Sequence, residues 1–252
     1  MNRTKIEYGE MAWNPITGCE KGCSYCWARK TAKRFYPHII DDCLEQIETL
    51  GTVDLLGEGG DEFQPIFWLD RLDEPLLCRK PKRILVSFMG DMWGGWIPAE
   101  WIRQVLAVTK EAAERMGHTF VFLTKNPKRY AEFAPFPKRH WLGTTITGVD
   151  DTKRIFELMR LEFNTTIKYV SFEPLLAPVD DILDQLRFMD WVIVGAQTRP
   201  TIQPKREWVQ RIIDACYGWD EPMCLFLKNN LHWPGVIQNY PKEVVDAKRA
   251  KS

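Results

Sequence analysis

Eight short runs of β-branched and aromatic residues punctuate the chain, and most end in polar side chains followed by a stretch of helical spacing. The runs are "MAWNPIT", "FQPIFW", "RILVSFMG", "TFVFLT", "HWLGTTIT", "IKYVSFE", "WVIVGA" and "MCLFLK". Between them, "IPAEWIRQVLAVTKEAAERMG" reads as a helix, with Pro98 in its first turn, apolar Trp101, Ile102, Val105 and Leu106, and Gly117 as its stop. "KREWVQRIIDACYG" repeats the pattern with Val209, Ile212, Ile213 and Cys216 before Gly218. Strands that are nearly apolar throughout and alternate with helices require a covered parallel sheet. About eight such units in roughly 250 residues is the size of a closed β/α barrel. The expected fold is therefore α/β, a full or partial TIM-type barrel, with an open doubly wound sheet as the alternative. One domain over residues 1–252 is expected, with an insertion around 34–62 and a C-terminal tail from about 230. In the insertion, "DDCLEQIETLG" reads as an amphipathic helix and "GEGGDEF" as a turn-rich loop.

Composition removes several function classes. Lys plus Arg equals Asp plus Glu at 34 each, so no global field draws the chain to nucleic acid or to an anionic membrane. No apolar stretch is long enough to cross a bilayer, and "MNRTKIEYGE" lacks the apolar core of a signal peptide. A cytoplasmic protein without membrane contact is expected. Seven cysteines, an odd count, argue against a disulfide scaffold in that compartment. Cys216 and Cys224 fall in apolar patterns and read as small core residues. The four histidines are scattered, and His118 and His140 adjoin strand starts, where a structural role is expected.

A barrel places its reactive residues where strands end. Polar residues recur there: Asn14 and Thr17, Asp91, Thr124 with Lys125 and Asn126, Thr145 with Thr147, Glu173, Gln197, and Lys228 with Asn229. Each alone reads as a helix cap or a solvated loop residue; their recurrence points to a site.

"GCEKGCSYCWARK" carries the strongest signal, with Cys19, Cys23 and Cys26 in a C-x3-C-x2-C spacing. Structural zinc takes four protein ligands, and His38 or Cys43 would supply the fourth only at an unusual spacing. A 4Fe-4S cluster also has four corners held by thiolates. Three protein ligands leave one iron open, as a reacting metal site requires.

"CEKGCSYC", with Tyr25 before the third cysteine, resembles the signature of radical S-adenosylmethionine enzymes. In that superfamily the motif follows the first strand of a full or partial β/α barrel, and the open iron of the 4Fe-4S cluster chelates S-adenosylmethionine. The resemblance implies reductive cleavage to methionine and a 5'-deoxyadenosyl radical, with an external one-electron reductant of the flavodoxin or ferredoxin type. A narrower resemblance rests on "WNPITGC", "RLDEPLLCRKPKRILV", "FLTKNPKR", "SFEPLL" and "DWVIVGAQ". These are similar to landmarks of a phage- and prokaryote-encoded three-cysteine-motif family of unassigned activity. Its Ser-Met-Ser-Asp-like element reads "SFMGD" here, its Gly-Gly-Glu-Ser stretch "GAQT", and its Lys-Gln is Lys228-Asn229.

The resemblance implies that Cys19, Cys23 and Cys26 hold the cluster and that Tyr25 meets the adenine. Asp91 and Glu173, carboxylates at strand ends, can accept hydrogen bonds from the ammonium or ribose hydroxyls of the nucleotide. With Lys125, able to meet a carboxylate or phosphate, they are the candidate catalytic residues. Thr145, Thr147 and Met89 complete the candidate cofactor shell, although Met89 also fits core packing. Four Pro-Lys-Arg triplets recur, and two of them place Lys128, Arg129, Lys205 and Arg206 after strands. Basic residues there can grip phosphates while Trp93 and Trp96 stack on a base, which makes a nucleoside, DNA or RNA the expected substrate. The alternative is a nucleic-acid-binding protein without catalysis, its N-terminal loop stapled by zinc or an inert cluster.

Overall fold

The computed structural model describes residues 1–35, 38, 61–161 and 166–241. It divides into two compact units, one of Met1–Phe133 with Pro137–His140, the other of Ala134–Phe136 with Trp141–Ser252. Cys43, "DDCLEQIETLG" and most of the expected 34–62 insertion lie outside the described residues. No described helix is long and apolar enough to cross a membrane.

In the first unit, β1 (Asn2–Arg3) pairs antiparallel with β2 (Met11–Trp13), and β2, β5 (Arg83–Val86) and β6 (Thr119–Thr124) run parallel in that order. The register sets Trp13 opposite Val86 and Arg83 opposite Thr119. "MAWNPIT" does not form one strand. Pro15 lacks a backbone donor and restricts Asn14, and the chain resumes as β3 (Ile16–Thr17), paired antiparallel with β4 (Ile66–Phe67) in a separate small sheet. Helical residues 27–35 make α1, and α2 (Glu74–Leu77) is a single turn. The helix α3 (Ala99–Met116) buries Trp101, Ile102, Val105, Val108 and Ala112, one stripe at 3–4 residue spacing. It ends at Gly117, whose φ of 70° is the left-handed conformation expected of a helix stop.

In the second unit, β7 (His140–Thr145, all but its first residue in this unit), β8 (Ile167–Phe172), β9 (Trp191–Val194) and β10 (Cys224–Leu227) are parallel neighbours in chain order. Their residues are buried almost throughout, as covered parallel strands require. The helix α4 (Lys153–Met159) links β7 to β8, and α5 (Arg206–Tyr217) packs Val209, Ile212, Ile213 and Cys216 inward. Between β8 and β9 the chain makes 3-10 turns, Asp180–Ile182 and Asp184–Phe188, where Pro178 and three aspartates favour turns over a long helix. Part of the expected tail is ordered: Leu227 N donates to Ile237 O and Asn239 N to Leu225 O, so residues 237–239 cover the edge of β10. The fold is thus α/β with mainly parallel strands, and seven of the eight sequence runs contribute a strand to these two sets.

Candidate functional site

In the first unit two glycines set the position of the cysteine loop. Gly18, at φ 87°, follows β3, and a Cβ there would lie 2.0 Å from Gln64 O. Gly90, in "SFMGD", forms a parallel bridge to Gly18, and its own Cβ would lie 2.3 Å from Gly18 O. Only bare backbone permits this approach. Gly18 N donates to Met89 O (3.0 Å) and Asp91 N to Gly18 O (3.3 Å), which fixes Cys19 beside Asp91. Asn14 Oδ1 accepts from Met89 N, so the break before Pro15 supplies the acceptor for the neighbouring turn.

Each of the three sulfurs accepts a hydrogen bond from a nitrogen. Lys21 N donates to Cys19 Sγ (3.4 Å), Lys125 Nζ to Cys23 Sγ (3.1 Å) and Arg29 N to Cys26 Sγ (3.3 Å). The last bond is a helix cap: Cys26 precedes α1, and its sulfur takes a donor of the first turn, at the positive end of the helix. Arg29 also donates from Nη2 to Cys19 O and from Nη1 to both oxygens of Asp61. Its guanidinium lies 5.1 Å from the ring centroid of Phe63. Cys19 packs with Ala28, Ala32 and Phe63, against which Cys26, Met89 and Trp96 also rest. Burial, with the negative charge of Asp91 next in weight, pushes the Cys19 thiol up to about 12. The thiols are free, and among the described residues no group of three His, Cys, Asp or Glu side chains is arranged to hold a single metal ion.

Asp91 is consumed by the scaffold. Its Oδ1 accepts from Thr124 Oγ1 (2.7 Å) and Trp93 N (3.2 Å), and its Oδ2 accepts from Lys125 N (3.1 Å). The carboxylate thus ties the "SFMGD" turn to the end of β6 and places Lys125. The ammonium of Lys125 contacts the hydroxyl of Tyr25 as well as Cys23 Sγ and lies 4.5 Å from the Tyr25 ring centroid. Burial alone would lower its pKa, but Tyr25 and Cys23 outweigh burial and leave it above the ordinary lysine value.

The second unit holds the other expected residues. Thr147 donates from both its N and its Oγ1 to Asp151 Oδ2, and Arg154 bonds Thr145 O and Asp151, so Thr147 closes a turn after β7. Thr145 is buried. Glu173, one residue past β8, pairs with Lys228, one residue past β10. Asn230 brackets the intervening strand end by accepting from Ala196 N and donating to Ala196 O.

The structure therefore gathers Cys19, Cys23, Cys26, Tyr25, Met89, Asp91 and Lys125 in one unit and Thr145, Thr147 and Glu173 in the other. Two basic-mouth expectations fail on burial. Arg129 is buried and donates to Gly94 O and Ile97 O, leaving no free phosphate grip. Trp93 is fully buried among Phe122, Tyr130 and Phe133 and offers no face to a base. His118 is structural as expected: Nδ1 accepts from Lys82 N and Nε2 meets Pro75 O. Sequence reasoning missed Lys21, Arg29 and Gly90. Arg29 was within reach, since it stands three residues after Cys26 in a helix start, where its backbone donor must meet the capping side chain.

Fold and site define an α/β protein with a three-thiol loop braced at the carboxyl ends of parallel strands. The chain belongs to the family described as Protein of unknown function (DUF5131), whose model matches residues 3–239. No curated protein and no solved structure matches it.

Proposed function

We propose that the chain is a radical S-adenosylmethionine enzyme whose Cys19, Cys23 and Cys26 hold a 4Fe-4S cluster. The observation that carries this reading is the set of three nitrogen donors, one on each sulfur of a single short loop. Hydrogen bonds to ligating sulfurs are a principal means by which proteins set cluster potentials. When bound, the cluster would supply the single electron for reductive cleavage of S-adenosylmethionine, the chemistry by which similar enzymes take hydrogen from a substrate.

The chain's own residues have distinct tasks in this reading. Lys21 N, Lys125 Nζ and Arg29 N stabilise charge on the three sulfurs. Arg29 holds α1 against the carbonyl of Cys19, and Asp91 positions Lys125 through its backbone. Tyr25 would meet the adenine that similar enzymes place against this loop, and Glu173, Thr145 and Thr147 stay strand-end candidates in the second unit. The architecture that accompanies the reading is a full or partial β/α barrel, with a nucleobase, nucleoside or nucleic acid as substrate and an external one-electron donor. The test is anaerobic reconstitution with iron and sulfide, then dithionite and S-adenosylmethionine. Expected are a charge-transfer absorbance that Cys-to-Ala variants at 19, 23 or 26 lose, and 5'-deoxyadenosine as product. Full iron loading with no 5'-deoxyadenosine would overturn the assignment.

A further inference from the structure

Of the basic residues expected to follow strands, Lys205 and Arg206 remain exposed, and the second unit sets them in a surface built from two loops. The strands β9 and β10 are parallel neighbours with Val194 opposite Leu227, so the segments that leave their carboxyl ends start side by side. Asn230 holds the first of these loops by accepting from Ala196 N (3.1 Å) and donating to Ala196 O (2.8 Å). Gln203 Nε2 donates to Asn230 O (2.8 Å), which fixes the far side of the same loop. Within it, Gln197 and Ile202 exchange backbone bonds at 3.2 Å, and Gln197 Nε2 donates to Pro200 O. The backbone is thus tied down from inside, and the basic side chains are left outside. Arg199, Lys205 and Arg206 are exposed, and the guanidinium of Arg206 lies 4.8 Å from the ring centroid of Trp233 on the second loop.

Two features of this surface go beyond what holding the loops together needs. The chain has 34 Asp and Glu residues among 252, yet none falls between Gly195 and Arg206 or between Lys228 and Pro241. In a chain whose charges balance overall, that gap makes a local positive surface. Glu207 stands at its rim, 4.0 Å from Lys205 with both side chains mostly exposed, a pairing worth too little to cancel the charge. Lys228, paired with Glu173, is not part of the exposed charge. The second feature is what stands among the cations. Ile202 and Val236 are 48% and 82% exposed, and Trp233 is half-buried beneath Arg206. Cations interleaved with a stacked ring and exposed aliphatic groups match a ligand that carries negative charge and flat apolar faces together.

We propose that this surface binds single-stranded nucleic acid. Phosphates meet Arg199, Lys205 and Arg206, and bases lie against the Arg206–Trp233 platform and the aliphatic groups of Ile202 and Val236. A duplex keeps its base faces stacked inside and offers this surface phosphates alone. An anionic membrane takes up an amphipathic helix or a broad apolar face, and these loops supply neither. The proposal deepens the substrate part of the function proposed above. It rests on that reading for the reaction on the strand, not for the binding itself.

The experiment is fluorescence anisotropy on the full chain without added iron or sulfide, so cluster chemistry does not enter. The probes are labelled single strands of DNA and of RNA about 15 nucleotides long, the same sequences as duplexes, and vesicles of phosphatidylcholine with phosphatidylserine. Saturable single-strand binding is expected, about tenfold or more tighter than duplex binding, and falling as salt rises from about 50 to 200 mM. Lys205→Gln with Arg206→Gln should weaken it about tenfold. The same pair should lower the slope of log affinity against log salt by about 1.4, at about 0.7 for each lost phosphate contact. Trp233→Ala should weaken binding about tenfold and leave that slope unchanged. Arg103→Gln with Lys110→Gln removes the same charge from the exposed side of α3 and should change neither. Circular dichroism verifies folding, and the exposed Lys205 and Arg206 changes decide the question should Trp233→Ala not fold. No saturable strand binding, duplex binding as tight, vesicle binding in place of strand binding, or a Lys205 and Arg206 double variant that behaves like the control overturns the proposal. 5'-Deoxyadenosine formed by a chain that binds no strand overturns this proposal alone, and strand binding without 5'-deoxyadenosine overturns the cluster reading alone.

Discussion

Gly90→Ala tests whether backbone contact, rather than any side chain, holds the thiol loop in place. The added Cβ would lie 2.3 Å from Gly18 O and 2.8 Å from Gly18 N, both main-chain atoms with no rotamer to yield. The two segments must part by about 1 Å to restore ordinary contact. That opening stretches the bonds from Gly18 N to Met89 O and from Asp91 N to Gly18 O, now 3.0 and 3.3 Å, past useful length. Two lost bonds with imperfectly resolvated partners cost about 2–4 kcal/mol, offset by roughly half a kcal/mol from the stiffer unfolded chain. The matched control is Gly95→Ala, where nothing lies within 4 Å of the new methyl. Urea denaturation gives the stability change, and site-resolved alkylation followed by mass spectrometry gives the exposure of Cys19, which directly follows Gly18. Gly90→Ala is expected to unfold at lower urea and to expose Cys19, with Gly95→Ala within about 0.5 kcal/mol of the parent. Equal stability of the two variants, with Cys19 equally protected, refutes the account of how the loop is placed.

Three other expectations concern the first unit. Burial holds the His140 imidazole neutral, at about 4 rather than 6.5, with Nε2 2.9 Å from Thr109 Oγ1. Between those values the unfolded chain binds a proton that the folded chain refuses, so stability falls as pH drops through the window. The loss reaches about 3 kcal/mol at its acid end. Urea titrations from pH 7 to pH 4 should show this slope and its reduction in His140→Gln. Asp91→Asn sets an amide N–H against donors that now point at carboxylate oxygens, and should cost about 2 kcal/mol by urea denaturation. Thr124→Val, which removes the single 2.7 Å bond, should cost about 1 kcal/mol.

Periodicity carried the strands well, because buried parallel strands are continuous apolar runs and their signal is local. "TFVFLT" and "HWLGTTIT" place β6 and β7 almost to the residue, and Gly117 ends α3 as a glycine in left-handed conformation must. What escaped is set by residues far apart in sequence. "FQPIFW" is strand-like, yet Ile66 and Phe67 pair with β3 because Pro15 and Gly18 turn the chain toward them. Trp93 looked available to a base, but Phe122 and Tyr130 from β6 and the turn after it enclose it. The partner that makes Lys125 more than a surface charge, Cys23, stands 102 positions away.

The same place in the fold serves two ends in the two units, and the difference lies in where the hydrogen bonds go. In the first unit the polar strand ends are consumed internally. Asp91 satisfies Thr124 and two backbone donors, Thr17 Oγ1 accepts from Trp68 Nε1, and Asn14 holds Met89 N, so these residues build a frame and leave the sulfurs as its working atoms. In the second unit Thr147 is likewise spent on a turn, but Ser171 is not, and Glu173 meets Lys228 over a glycine that no turn requires. A carboxylate at a strand end is therefore not a site by virtue of its position. Asp91, held by three internal donors, acts through Lys125, whereas Glu173 pairs with the Lys228 ammonium over the bare backbone of Gly195.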